Sequence, residues 1–98
     1  MKILIFVKLL CKVISFDLAE PPRIMRFSYD LTNGRDLVLQ CIVRGNPAPS
    51  IVWLRNGKQF RIASGKLVIP LKIARTAKYT CMARNMKGIR KVSVDVIL

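Results

Sequence analysis

Residues 41–53, CIVRGNPAPSIVW, and residues 79–81, YTC, decide how this chain is read. Ahead of and through the first cysteine, Leu37, Leu39, Cys41 and Val43 alternate with Val38, Gln40, Ile42 and Arg44, a period of two that predicts a strand with one buried face. Asn33-Gly34 signals a turn before it, and Gly45-Asn46-Pro47-Ala48-Pro49 is expected to break it. Ser50 to Leu54 starts a second strand, with Ile51 and Trp53 on one side and Val52 and Leu54 on the other. Asn56-Gly57 predicts a tight hairpin. A short strand around Phe60 to Ile62 and another over residues 66–71 follow, the latter limited by Pro70, which cannot donate to a ladder. Lys78 to Arg84 alternates with Tyr79, Cys81 and Ala83 on one side, and Asn85-Met86-Lys87-Gly88 turns it into a last strand over residues 89–98 striped by Val92, Val94 and Val96. Short strands at this spacing predict an all-β fold, an antiparallel sandwich or barrel.

Composition narrows the function classes. The 98 residues carry 18 Lys and Arg against 5 Asp and Glu, a formal charge of +13, and no histidine. That length supports one domain. Without histidine there is no Ser-His-Asp or Cys-His relay and no HExxH metal site. The acids Asp17, Glu20, Asp30, Asp36 and Asp95 are scattered singly, so neither a carboxylate pair nor a metal site is predicted. The expectation is a protein that is not an enzyme and takes no cofactor.

Residues 1–15, MKILIFVKLLCKVIS, combine an early lysine, an apolar run and small residues near the end, the pattern of a secretory signal, although Lys8 and Lys12 interrupt the run. The alternative is an N-terminal helix retained in the mature chain. A stable membrane span is not expected, because the uninterrupted apolar segments fall well short of the ~20 residues a bilayer needs. Cleavage would leave a single domain over residues 16–98 with 15 basic and 5 acidic side chains, a charge of +10. It would also remove Cys11 and leave Cys41 and Cys81, an even number that fits an oxidising compartment. Two buried thiols in an intracellular protein are the alternative.

Cys41, Trp53 twelve residues later, and Tyr79 two residues before Cys81 resemble the signature of the immunoglobulin superfamily. The flanking GNPAP at residues 45–49 and the Ala83-Arg84-Asn85 stretch with Gly88 are similar to its intermediate, or I-set, subclass. The resemblance implies a two-sheet antiparallel sandwich. In it Cys41 and Cys81 bridge the sheets, Trp53 packs on the bridge, and the Tyr79 hydroxyl closes a tyrosine corner. It also implies that the segment between the C and E strands is shortened, since Trp53 and Tyr79 are close for the family. Arg75 stands where the corner usually carries Asp, and Ala77 where Gly is common.

Residues 45–61, GNPAPSIVWLRNGKQFR, and residues 79–98 further resemble the second immunoglobulin domain of fibroblast growth factor receptors. That likeness implies a secreted, extracellular, soluble receptor-like module recognising a protein ligand, such as a growth factor, with heparan sulfate assisting. Ahead of the first cysteine, where the receptors are lysine-dense, this chain has only Arg23, Arg26 and Arg35. A different class fits the same motifs: a structural I-set module of extracellular matrix or sarcomere, or a fragment of a cell-adhesion protein.

Two surfaces are candidates for binding. Arg84, Lys87, Arg90 and Lys91 surround the last hairpin, and Arg55 and Lys58 flank the Asn56-Gly57 turn of a strand expected in the same sheet. Gathered at one end and face, these six would attract sulfate or phosphate with a steep salt dependence; the alternative is a solvated basic rim. Nucleic acid is not expected as a partner, since Trp53, Tyr79 and Phe60 are needed in or near the core and are not free to stack on bases. With Trp53, Tyr79 and Cys81 inward, alternation puts Val52, Leu54 and Met82 outward, an apolar patch suited to a protein partner.

Overall fold

The computed structural model describes residues 18–32, 34–62 and 64–98. The expected leader over residues 1–15, with Cys11, and the turn residue Asn33 lie outside the described residues. Seven strands follow in chain order: β1 (Glu20–Thr32), β2 (Asp36–Asn46), β3 (Ser50–Arg55), β4 (Lys58–Ile62), β5 (Lys66–Pro70), β6 (Ala77–Asn85) and β7 (Gly88–Val96). They form a three-stranded sheet in the order β1-β2-β5 and a four-stranded sheet in the order β4-β3-β6-β7, with every neighbouring pair antiparallel. This is the immunoglobulin-like sandwich that the resemblance of Cys41, Trp53, Tyr79 and Cys81 to that family implies. The chain passes from β4 directly to β5, which pairs with β2, so the connection between the sheets is the short one expected.

Alternation builds the core. Leu37, Leu39 and Cys41 of β2 face Ile51 and Trp53 of β3 and Tyr79 and Cys81 of β6, all buried. Cys41 and Cys81 are joined across the sheets with their Cα atoms 6.5 Å apart. The ladder places Trp53 opposite Cys81, and the Trp53 ring stacks on Phe27 of β1 with centroids 6.2 Å apart. Its Nε1 donates to the Ser64 carbonyl at 3.2 Å, which satisfies the one polar atom this large ring takes into the interior.

Three local features differ from the sequence reading. The strand β1 was not expected. Pro21-Pro22 at its start and register shifts between Glu20 and Arg23 and between Ile24 and Arg26 disturb its alternation, so it shows no period of two. The strand β2 does not break at Gly45. It runs on to Asn46, opposite Glu20, and stops where Pro47 removes the backbone donor. The last strand ends at Val96, two residues short of the expected limit.

The β3–β4 hairpin turns through Asn56 and Gly57 at φ 52° and 82°, the positive pair that a two-residue hairpin of this type requires. Asn56 also locks the turn to β6: its backbone N donates to the Lys78 carbonyl at 2.8 Å, and its Oδ1 accepts from the Lys78 N at 2.9 Å. Between the sheets the chain passes close to β2 at Gly65, whose carbonyl accepts from the Cys41 N at 2.6 Å. A Cβ there would collide with the Cys41 carbonyl oxygen, so glycine is required by space.

Candidate functional site

The four-stranded sheet has one face on the core and one facing outward. Because directly opposed residues of an antiparallel pair point the same way, the pairings Val52 with Ile62 and Val52 with Met82 form a single outward row across three strands. Leu54 sits beside it, opposite Thr80. Val52, Leu54 and Met82, the three residues expected outward, are half-buried and do come together here. Ile62 at the edge is 74% exposed and completes the row. Sequence reasoning missed Ile62 as a member, since its place opposite Val52 depends on the β3–β4 register shift between Trp53 and Leu54. Alongside, the Thr80 and Ser93 hydroxyls hydrogen-bond at 2.7 Å, so the polar groups on this part of the face satisfy one another.

The six basic candidates do not gather at one end. Arg55 is opposite Tyr79 near the start of β6, whereas Arg84 is opposite Ser50 at the other end of β3. Five residue steps along a strand separate those two levels by about 17 Å. Strand direction is the reason: the β3–β4 turn and the β6–β7 turn close opposite ends of the sheet. Pleating divides the hairpin group again. Lys91 is opposite Met82 and Arg84 opposite Ile89, which places both on the outward face, while Arg90 is opposite the buried Ala83 and points to the other side. Lys87 lies in the turn itself and is exposed.

At the other end, Arg55 and Arg61 share the Phe60 ring, their guanidinium carbons 4.2 and 5.1 Å from its centroid. Phe60 in turn meets Tyr79 edge-on at 6.5 Å. Arg55 is thereby committed to packing over the rim of the core. Lys58, opposite Arg55, is exposed beside it. A pair that sequence reading did not single out lies on the other sheet, where Arg23 of β1 stands directly opposite Arg44 of β2.

The scaffold under these surfaces is tied at both ends. Tyr79 Oη donates to the Arg75 carbonyl at 3.0 Å, and the Arg75 N approaches the same oxygen at 3.4 Å. The tyrosine corner therefore closes on backbone, and the Arg75 side chain in place of Asp does not prevent it. Asn85 Nδ2 donates to the carbonyls of Glu20 at 2.7 Å and Pro47 at 3.0 Å, and its Oδ1 accepts from the Lys87 N at 2.8 Å. One amide thus joins β1, the β2–β3 connection and the last hairpin. Among the described residues, no group of three or more Cys, Asp or Glu is placed to hold a metal, and no helix is long and apolar enough to cross a membrane.

Comparison with known proteins follows the same lines. A family model described as "Immunoglobulin domain" matches residues 21–85. The neuronal cell adhesion molecule of Mus musculus is 35% identical over 102 aligned positions, which cover 81% of this chain and 8% of that protein. Hemicentin-2 of Mus musculus is 34% identical, covering 66% of this chain and 1% of that protein. A solved structure titled "Tandem Ig repeats of Dlar" superposes with a TM-score of 0.55 at 33% identity, covering 79% of this chain and 46% of the other. The chain thus spans a small part of the length of these relatives, and less than half of the solved structure. The narrower likeness to fibroblast growth factor receptors rests only on the residues quoted for it.

Proposed function

Because the chain belongs to the immunoglobulin-domain family, we propose that it is an extracellular binding module of the cell-adhesion type, which docks a protein partner on the outward face of its four-stranded sheet. The observation that carries this reading is the apolar row Ile62, Val52 and Met82, with Leu54 beside it, on a rigid sheet whose other face is the core. Large apolar side chains brought together on an exposed face suit protein recognition. Export by the leader at residues 1–15 and oxidation of Cys41 and Cys81 belong to the same reading, since such bridges persist outside the reducing cytosol. Likeness to a protein named as a cell adhesion molecule favours adhesion over growth-factor recognition.

The test uses beads coated with the oxidised protein and the cells to which they adhere. Val52→Lys with Met82→Lys should reduce bead retention by about tenfold or more, the loss expected when charges are placed at the centre of an apolar contact. Ile42→Lys with Val68→Lys adds the same charge to exposed positions of the other sheet and should leave retention within about twofold. Equal losses from the two pairs would refute docking on the four-stranded sheet.

A second reading concerns sulfated polyanions such as heparan sulfate. It is favoured by Arg84 and Lys91 sharing the outward face, with Lys87 on the adjoining turn. Neutralising these three should lower the salt needed for elution from heparin more than neutralising Arg55, Lys58 and Lys78. Equal shifts would indicate attraction by overall charge alone.

A further inference from the structure

Each sheet ends in edge strands, and edges left unprotected are templates for pairing with another chain. Most edges of this molecule are blunted. The strand β4 carries Lys58 and Arg61 and a register shift, β5 is five residues long with Lys66 at one end and Pro70 at the other, and β7 carries Arg90, Lys91 and Asp95. The first half of β1 has Pro21, Pro22, Arg23, Arg26 and two register shifts. The second half differs from all of these.

From Phe27 to Thr32 the ladder with β2 is regular, with Phe27 opposite Cys41 and Thr32 opposite Asp36 and no shift between them. These six residues, FSYDLT, contain neither proline nor glycine and one charge, Asp30. The strand β1 has a neighbour on one side only, so its other edge is unpaired among the described residues. Tyr29 and Leu31 are opposite the fully buried Leu39 and Leu37 and so point to the core side, yet they remain 44% and 42% exposed. They are core-facing side chains at a margin that the described residues leave partly uncovered.

We propose that this edge pairs with the same segment of a second copy, antiparallel, joining two three-stranded sheets into one of six strands. The side-chain pattern selects the register in which Tyr29 faces Tyr29 of the second copy. Phe27 then faces Leu31 of the other chain on the core side, and Ser28 faces Asp30 on the outward side. Arg26 shares the outward side with Ser28 and Asp30, since their partners Ile42, Gln40 and Val38 lie on one side of β2. In this register Arg26 is therefore the diagonal neighbour of the second copy's Asp30, a spacing that long side chains bridge. Shifting by two residues, so that Tyr29 faces Leu31, would instead set Asp30 against Asp30.

A single strand pair buries less than a standard stable interface of ~1,600 Å². The dimer is therefore weak in solution and gains strength when copies are held together on a surface. This inference is separate from docking on the four-stranded sheet, and the two use different residues.

Sedimentation equilibrium of the oxidised protein tests it. The wild-type chain should be monomeric near ~1 µM and largely dimeric by ~300 µM, as for a dissociation constant in the tens of micromolar. Tyr29→Lys should weaken association at least about tenfold by placing a charge in the paired edge. Ile89→Lys, the same charge at an exposed site on β7, should leave it unchanged. Arg26→Asp and Asp30→Arg should each weaken the dimer, and the double exchange should restore it, which a misfolded variant could not do. General charge repulsion predicts the reverse for Arg26→Asp, since that change lowers the net positive charge. A chain that stays monomeric throughout, a dimer indifferent to Tyr29→Lys, or a dimer strengthened by Arg26→Asp would overturn the proposal.

Discussion

Replacing Trp53 by alanine probes the join between the two sheets. The ring is fully buried, stacks on Phe27 at 6.2 Å, lies opposite Cys81 and donates to the Ser64 carbonyl. A buried tryptophan removes roughly 200 Å² from water, which at about 25 cal/mol per Å² corresponds to about 5 kcal/mol. Residual burial in the denatured chain lowers that figure by about a quarter. The lost hydrogen bond adds well under about 1 kcal/mol to the cost, because Ser64 is exposed and its carbonyl can turn to water. The expected loss is therefore about 4 kcal/mol, within the range for large aromatic truncations in cores. A domain of this size has only ~5–15 kcal/mol in total, so the variant should sit near the limit of folding. Urea unfolding followed by far-ultraviolet circular dichroism measures it, since the substitution removes the only tryptophan. Trp53→Phe, which keeps a ring against Phe27, should lose about half as much. A loss under ~1 kcal/mol for the alanine variant would refute the packing argument.

Gly65→Ala should destabilise by about 1–3 kcal/mol in the same assay, because the new Cβ meets the Cys41 carbonyl and the backbone must shift. Tyr79→Phe should lose about 1–3 kcal/mol by leaving the part-buried Arg75 carbonyl without its hydroxyl donor, whereas Arg75→Ala should lose little, since the corner closes on backbone. Reduction of the Cys41–Cys81 bridge, which closes a separation of 40 residues, should lower stability by about 4 kcal/mol, read as the shift in urea midpoint with and without reductant.

How far the fold could be read depended on where burial imposes a period. The strands that carry Cys41, Trp53 and Cys81 lie in the middle of their sheets with one face sealed, so their alternation survives in the sequence. The first strand is an edge with little buried surface, two prolines and two register shifts, and it left no such trace. The outward positions of Val52, Leu54 and Met82 followed from alternation alone. Ile62 did not, because the shift that aligns it with Val52 is a property of the paired strands. The basic residues were the least legible. Arg55 and Arg84 are on strands of one sheet, but only the direction of those strands shows that they mark opposite ends. Arg55 also answers to Phe60, whose ring centroid lies 4.2 Å from its guanidinium carbon, a contact that depends on the pairing of β3 with β4.

The claim that this chain works outside the cell as an oxidised immunoglobulin module is tested most directly by the intact mass of the protein made by a secreting cell, taken with and without reduction. The expected product is in the medium, starts near Phe16 and takes up alkylating reagent at Cys41 and Cys81 only after reduction. A product retained in the cell, beginning at Met1 and alkylated at both cysteines without reductant, would contradict it.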